Sequence, residues 1–137
     1  MTITVEVRVR APIGDVWKCW TTPEDIVAWN SASDDWHTTT ATVELTVGGR
    51  FSSRMEARDG SAGFDFEGTY TRIEPQKVIA ARFGDRQLLV EFIQTTDGVV
   101  VRETFDAEDE HPEDMQRQGW QAILDRFGRH VEAKRVR

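Results

Sequence analysis

The stretch FDFEGTYTRIEPQKVIAARFGDRQLLVEFIQTTDGVVVRETF, residues 64–105, decides the fold. It splits into four runs, Phe64–Ile73, Val78–Phe83, Gln87–Gln94 and Val99–Phe105, separated by Glu74-Pro75-Gln76, Gly84-Asp85 and Thr96-Asp97-Gly98. Apolar residues recur at every second position within the runs, and the breaks are made of turn formers. Period two with β-branched and aromatic residues is the pattern of a strand with one buried face. Breaks this short allow only antiparallel neighbours, so the stretch predicts a meander.

Moving toward the N-terminus, Asp59-Gly60 is a strong hairpin signal, and Arg50–Ala57 reads as the strand before it. Gly48-Gly49 turns the chain back to a further strand over Thr40–Thr46, built around Ala41, Val43 and Leu45. Residues 3–10 alternate Ile3, Val5, Val7 and Val9 with Thr4, Glu6, Arg8 and Arg10, which adds a seventh strand. Two short helices separate that first strand from the meander. Pro12 opens one, where its missing N–H costs nothing, and Ile13, Val16, Trp17 and Trp20 form its apolar stripe. Thr22-Pro23-Glu24-Asp25 starts the other, with Thr22 as cap and Asp25 positioned for a capping-box-like arrangement.

Toward the C-terminus the period changes to that of a helix. Trp120, Ile123, Leu124, Phe127 and Val131 lie on one face of a helix of about 24 residues, with Pro112 in its first turn. Acids at residues 106, 108, 109, 110, 113 and 114 precede it, and Lys134, Arg135 and Arg137 close it; both ends suit the helix dipole. The architecture expected is α+β: a seven-stranded curved antiparallel sheet, two short helices and a long C-terminal helix, as one domain over residues 1–137.

The 137 residues carry 17 Lys and Arg against 24 Asp and Glu, a net charge of −7, which argues against nucleic acid as a partner. No apolar run is long enough to span a membrane, and Met1-Thr2-Ile3-Thr4-Val5 lacks the features of a signal peptide. The single Cys19 reads as an inert half-buried thiol, and a cytoplasmic location is expected. Three dispersed His residues and one Cys do not have metal-site spacing, and no phosphate or dinucleotide fingerprint is present, so neither metal nor cofactor is expected.

A sheet of seven twisted strands curves, and one helix cannot cover its whole concave face. The space left between sheet and helix is the natural place for a ligand. At this point the chain resembles a known family. Ala11-Pro12 with Val16-Trp17, Trp20-Thr21-Thr22-Pro23-Glu24, Trp29-Asn30, Asp35-Trp36-His37, Gly48-Gly49-Arg50-Phe51, Gly63 to Tyr70, and Gln118-Gly119-Trp120 carry the resemblance. They are similar to the helix-grip fold of the START and birch-pollen-allergen superfamily (SRPBCC), which also holds the polyketide cyclase-like proteins. Within it the chain resembles bacterial proteins akin to the C-terminal domain of the activator of the 90-kDa heat-shock chaperone ATPase. The resemblance covers essentially the whole chain and is specific for fold, while the superfamily hosts carriers, cyclases and dehydratases alike.

Candidate ligand-binding residues follow from which faces turn inward. Phe66, Gly68 and Tyr70 share one face, and a strand glycine marks a bend or close approach. Tyr70 either points its hydroxyl into the cavity or bonds it to a backbone carbonyl. Phe51, Ser53 and Met55 should look inward, leaving Arg54 and Glu56 outside as a pair. Glu103 shares a face with Val99, Val101 and Phe105; either that face is inward and Glu103 needs a partner, with Arg82 the candidate, or Val100 and Thr104 are inward instead. His37 beside Trp36 is an acid–base candidate or a surface residue. His111 and His130 are assigned to the helix cap and helix surface. Met115 and Gly119 lie early on the long helix, where Gly119 serves close packing or leaves room for a ligand. Trp29, Phe105 and Ile123 complete the expected lining. Trp17, Trp20, Trp29 and Trp36 fall in the segment expected to close one end.

Three functions compete. The first is binding of a small hydrophobic or amphipathic molecule by a monomer or weak homodimer. The second is a cyclase, dehydratase or hydrolase using Glu103 or Tyr70 with His37. The third is a chaperone-interaction module, which would show an exposed apolar patch.

Overall fold

A computed structural model describes residues 1–135. The element order is β1 (Thr2–Val9), α1 (Ile13–Thr21), α2 (Pro23–Trp29), β2 (Trp36–Val43), β3 (Arg50–Ala57), β4 (Gly63–Glu74), β5 (Val78–Phe83), β6 (Arg86–Thr95), β7 (Gly98–Asp106) and α3 (Glu113–Arg135). The strands form one antiparallel sheet in the order β1-β7-β6-β5-β4-β3-β2. The meander runs from β2 to β7, and β1 closes on its far side. β2 begins and ends several residues before the alternation around Leu45 suggests, because Trp36 and His37 already pair with Ala57 and Glu56.

Two irregularities bend the sheet. The register shifts between Thr38 and Thr40 in β2 and between Tyr70 and Arg72 in β4, and bulges of this kind sharpen local twist. Gly68 sits just before the second. A Cβ there would lie 2.5 Å from the Arg82 carbonyl oxygen and 2.8 Å from the Phe51 ring, so only glycine lets the strands curl this tightly.

The concave face carries the core. Ile3, Val5 and Val9 of β1, Val90 and Phe92 of β6, and Val99, Val101 and Phe105 of β7 are buried against Leu124, Phe127 and Val131 of α3. α3 lies along β1 and α2 lies on β2, at opposite margins of the sheet. Gly128 brings α3 close to β1, since its Cβ position is 3.2 Å from a Val7 methyl. Gln121 Nε2 donates to the Glu6 carbonyl at 3.0 Å and Arg117 Nη1 to that of Thr4 at 3.0 Å, which fixes the helix on the β1 edge. The middle strands β3 to β6 are thus left partly uncovered by helix.

The entry to α2 differs from the capping-box expectation. Thr22 holds the N-cap position but makes no side-chain cap bond. Asp25 turns away from the helix start and is buried against α3, because the Lys134 ammonium and the His130 ring there together bind it more strongly than a backbone N–H would. None of the described helices is long and apolar enough to cross a membrane.

Candidate functional site

The uncovered middle of the sheet forms a pocket of about 430 Å³. Its floor comes from the inward positions of alternate strand residues: Phe51, Ser53 and Met55 of β3, Phe64, Phe66 and Tyr70 of β4, Ile79, Ala81 and Phe83 of β5, Leu88 and Val90 of β6. Trp20, Ile26, Trp29 and Asn30 wall one end, and Trp120 and Ile123 of α3 form the roof. The rings contact one another: Phe66 lies 5.3 Å from Phe83 and 6.1 Å from Trp120, and Phe51 lies 5.3 Å from Tyr70. The wall is therefore largely rigid aromatic surface.

Glu103 is the charged side chain that enters this apolar space from β7. It is 5% exposed, with Val5 and Val90 as its cross-strand neighbours, so the inward alternative for this face is the observed one. Arg82 is not its partner. Ala81 and Phe83 take the inward positions of β5, and Arg82 between them is exposed on the convex face. Among the described residues nothing in the chain hydrogen-bonds the Glu103 carboxyl. Burial pushes its pKa up to about 8, so the group is mostly protonated near neutral pH. Tyr70 also reaches the pocket, and its hydroxyl bonds no backbone carbonyl among the described residues. Burial pushes it up to about 12, so it stays neutral.

A second depression of about 390 Å³ adjoins the first, sharing Met55, Phe64, Arg86, Trp120 and Ile123 with it. Trp36, Met115, Gly119, Glu108 and His111 line it further out, so it forms the mouth. Met115 is 56% exposed and Phe64 48%, and Trp36 packs 5.9 Å from the Phe64 ring. Nothing lies within 4 Å of a Cβ at Gly119, so this glycine serves no close packing and leaves the mouth wide. The rim is held in place by Gln116. Its Oε1 accepts from Glu108 N at 2.9 Å, and its Nε2 donates to the Glu108 and His111 carbonyls at 3.0 and 2.8 Å. Arg86 spans mouth and pocket with its guanidinium committed: Nε and Nη2 donate to the Asp106 carbonyl at 3.0 and 2.8 Å, and it lies 4.6 Å over the Phe83 ring.

Of the candidate residues, Trp29, Met55, Phe66, Tyr70, Glu103 and Ile123 border the pocket, while Trp36, Met115 and Gly119 border the mouth. Two fall elsewhere. Phe105 is fully buried beneath Trp120, with stacked rings 3.9 Å apart, so Trp120 shields it from the space. His37 pairs across to Glu56 and borders neither space, so the set of Glu103, Tyr70 and His37 does not converge. Trp17 packs edge-on against Phe92 at 5.2 Å instead of closing the pocket. Arg54 pairs with Glu56 at 3.0 Å on the outside, as the alternation predicts.

The second buried carboxyl is a finding that local pattern does not announce. Asp25 is 5% exposed and accepts from Lys134 Nζ at 2.7 Å, and its Oδ1 lies 2.8 Å from His130 Nε2. His130 is thus tied to α2, not free on the surface of α3. Burial works to raise the Asp25 pKa, but the hydrogen bonds and charges of Lys134 and His130 outweigh it and hold the carboxyl below its ordinary range. The Cys19 thiol, Asp25 and His130 place one ligand atom each within 4.8 Å of one another, a convergence that their spacing in the chain conceals. Burial, with the nearby Asp25 charge, pushes the Cys19 thiol up, so it is not an activated nucleophile.

Comparison with known proteins agrees with this architecture. Residues 10–132 match the family described as Activator of Hsp90 ATPase homolog 1-like protein. The solution structure of an AHSA1-like protein from Aeromonas hydrophila is similar at 46% identity and a TM-score of 0.93, covering 100% of this chain and 96% of that one. A solution structure from Cytophaga hutchinsonii is similar at 40% identity and a TM-score of 0.84, covering 98% and 94%. A crystal structure from Nitrosomonas europaea, at 15% identity and a TM-score of 0.84 over 100% and 97%, shares the fold. No curated protein matches the chain. The chain belongs to the Activator of Hsp90 ATPase homolog 1-like family, within the START-like superfamily.

Proposed function

We propose that this protein binds a small, largely apolar molecule in the pocket between the sheet and α3. One observation carries the reading: an aromatic-walled space of about 430 Å³ contains the Glu103 carboxyl with no protein partner among the described residues. The Glu103 carboxyl oxygens are not sealed in the core but open to the pocket, where a bound molecule can reach them. A placed polar group within an apolar lining is the pattern by which such pockets orient a ligand. The pocket's volume lies within the usual range for small-molecule sites.

Native mass spectrometry of freshly purified protein tests this. A retained small molecule is expected, and Ala81→Phe, which fills the floor beside Tyr70, should lose it while keeping the wild-type melting behaviour. Wild-type protein that neither retains a molecule nor changes its Trp20, Trp29 and Trp120 fluorescence with any of a panel of apolar compounds would remove the reading.

A second reading is contact with a chaperone of the kind in the family's description. Its support is the exposed pair Phe64 and Met115 at the mouth, beside Trp36. Substituting Trp36 and Met115, which border the mouth and not the pocket, by Ser separates the two readings. Loss of chaperone capture with ligand retention intact favours the second, and unchanged capture, or no capture by the wild type, discards it.

A further inference from the structure

Resting on the pocket reading, we propose that the ligand is a lipophilic organic cation, an amine on an apolar body, whose ammonium group meets the Glu103 carboxylate. Three observations converge on that class. First, among the described residues no cationic group is paired with Glu103. Its neighbours across the sheet are Val5 and Val90, and α3 contributes Trp120 and Ile123 above it. The other ionisable groups bordering the pocket among the described residues are Tyr70, which stays neutral, and Arg86, whose guanidinium is tied to the Asp106 carbonyl and to the Phe83 ring. A cation in the pocket would find a carboxyl that no cation of the chain hydrogen-bonds among the described residues.

Second, the walls suit a cation. The rings of Trp20, Trp29, Phe66, Tyr70 and Trp120 border the space, and aromatic rings attract ammonium groups, most strongly when desolvated. Third, the approach is acidic. Residues 106–114 hold six acids, Glu108 among them lines the mouth, and the whole chain carries −7. A field of that sign concentrates cations at the entrance.

The proton balance gives a signature. An alkylamine arrives protonated, since its pKa is near that of lysine, about 10.4. Glu103, protonated in the free protein near neutral pH, releases its proton to solvent when the ammonium pairs with it. Amine affinity should therefore rise as pH increases toward 8 and level off above it. An alcohol accepting a hydrogen bond from neutral Glu103 would show the opposite trend.

The test is calorimetric titration with 4-phenylbutylamine, 4-phenylbutanol and 4-phenylbutyrate, which share one apolar body, at pH 7 in two buffers of different ionisation enthalpy. The amine should bind at least about tenfold tighter than the alcohol, with close to one proton released. Glu103→Gln should bring the amine-to-alcohol ratio to about one. If the alcohol or the carboxylate binds as well as the amine to wild-type protein, or amine binding releases no proton, the cation assignment falls and the pocket reading stands. If none of the three binds, both fall. The wild-type ratio and proton count decide the matter even where the variant does not fold.

Discussion

Asp25 and Glu103 are buried to the same extent, each 5% exposed, yet the chain treats them oppositely. Asp25 lies where α2 meets α3, with Lys134 at 2.7 Å and His130 at 2.8 Å, and its pKa is held down. Glu103 lies over the middle of the sheet among Val5, Val90 and the aromatic walls, and its pKa is pushed up to about 8. Burial acts in the same direction on both. What differs is partners. A carboxyl answered by the chain is a structural tie, whereas Glu103 has no such partner among the described residues and borders the pocket.

The largest effect expected from this contrast is in pH dependence. The folded state keeps a proton on Glu103 from about 4.5 up to about 8, where the unfolded chain has released it. Its contribution to stability is fully present below 4.5 and lost as pH rises through 8, a loss on the order of 5 kcal/mol over the whole range. Asp25 has the opposite sign. Its contribution is present above its ordinary value of 3.8 and is lost as pH falls through the depressed folded value. Urea unfolding of wild type and Glu103→Gln at several pH values measures the first term as a difference. The variant should lose the decline between about pH 4.5 and 8, and equal slopes for the two proteins would erase the contrast.

Next in size is removal of the structural tie itself. Asp25→Ala leaves a partly buried His130 and the Lys134 ammonium without their shared acceptor. Breaking one side of a buried pair commonly costs about 3–5 kcal/mol, and the exposure of Lys134 reduces the expectation to about 2–3 kcal/mol. Denaturant midpoints at unchanged slope would show it. The buried Cys19 thiol provides a second reading of the same event, because it lies in this cluster. Its labelling by a thiol reagent should be slow in the wild type and faster in Asp25→Ala. A loss below about 1 kcal/mol would place Asp25 with ordinary surface ion pairs.

These two carboxyls also show how much of the molecule is legible in its sequence. The strands were readable because their register is local: β3 and β5 begin and end where alternation predicts, and the tight turns at Gly60 and Gly84 adopt positive φ as their sequences suggest. Alternation likewise turned Phe66, Tyr70 and Met55 inward. It could place Glu103 on the face of Val101 but could not supply a partner, and Arg82 was excluded only by the observed parity of β5. Phe105 shares the inward face too, yet a ring from α3 lies between it and the pocket, and depth along the helix direction has no sequence period. The Asp25 cluster joins residues 105 and 109 positions apart, beyond any local pattern. A helix-start signal at Asp25 was a reasonable local reading that tertiary packing overrode.

The smallest effect tests whether Asp25 is held by one partner or two. Lys134 is 46% exposed, so solvent screens its attraction, and its long side chain loses entropy when held. His130 is only 19% exposed and reaches the same carboxylate oxygen at 2.8 Å from a more buried position. Lys134→Ala should therefore cost below about 1 kcal/mol, with the cost shrinking further in salt, since surface charges are screened over about 10 Å at 0.1 M. The measurement is a double-mutant cycle: the Lys134→Ala penalty in wild type minus that in Asp25→Ala gives the coupling, and salt should reduce it. A coupling above about 2 kcal/mol that salt does not touch would mean that the lysine reaches the carboxyl as a desolvated partner. Asp25 would then depend on Lys134 in the way that Glu103 is proposed to depend on an ammonium from outside, and the two carboxyls would differ only in where their cation comes from.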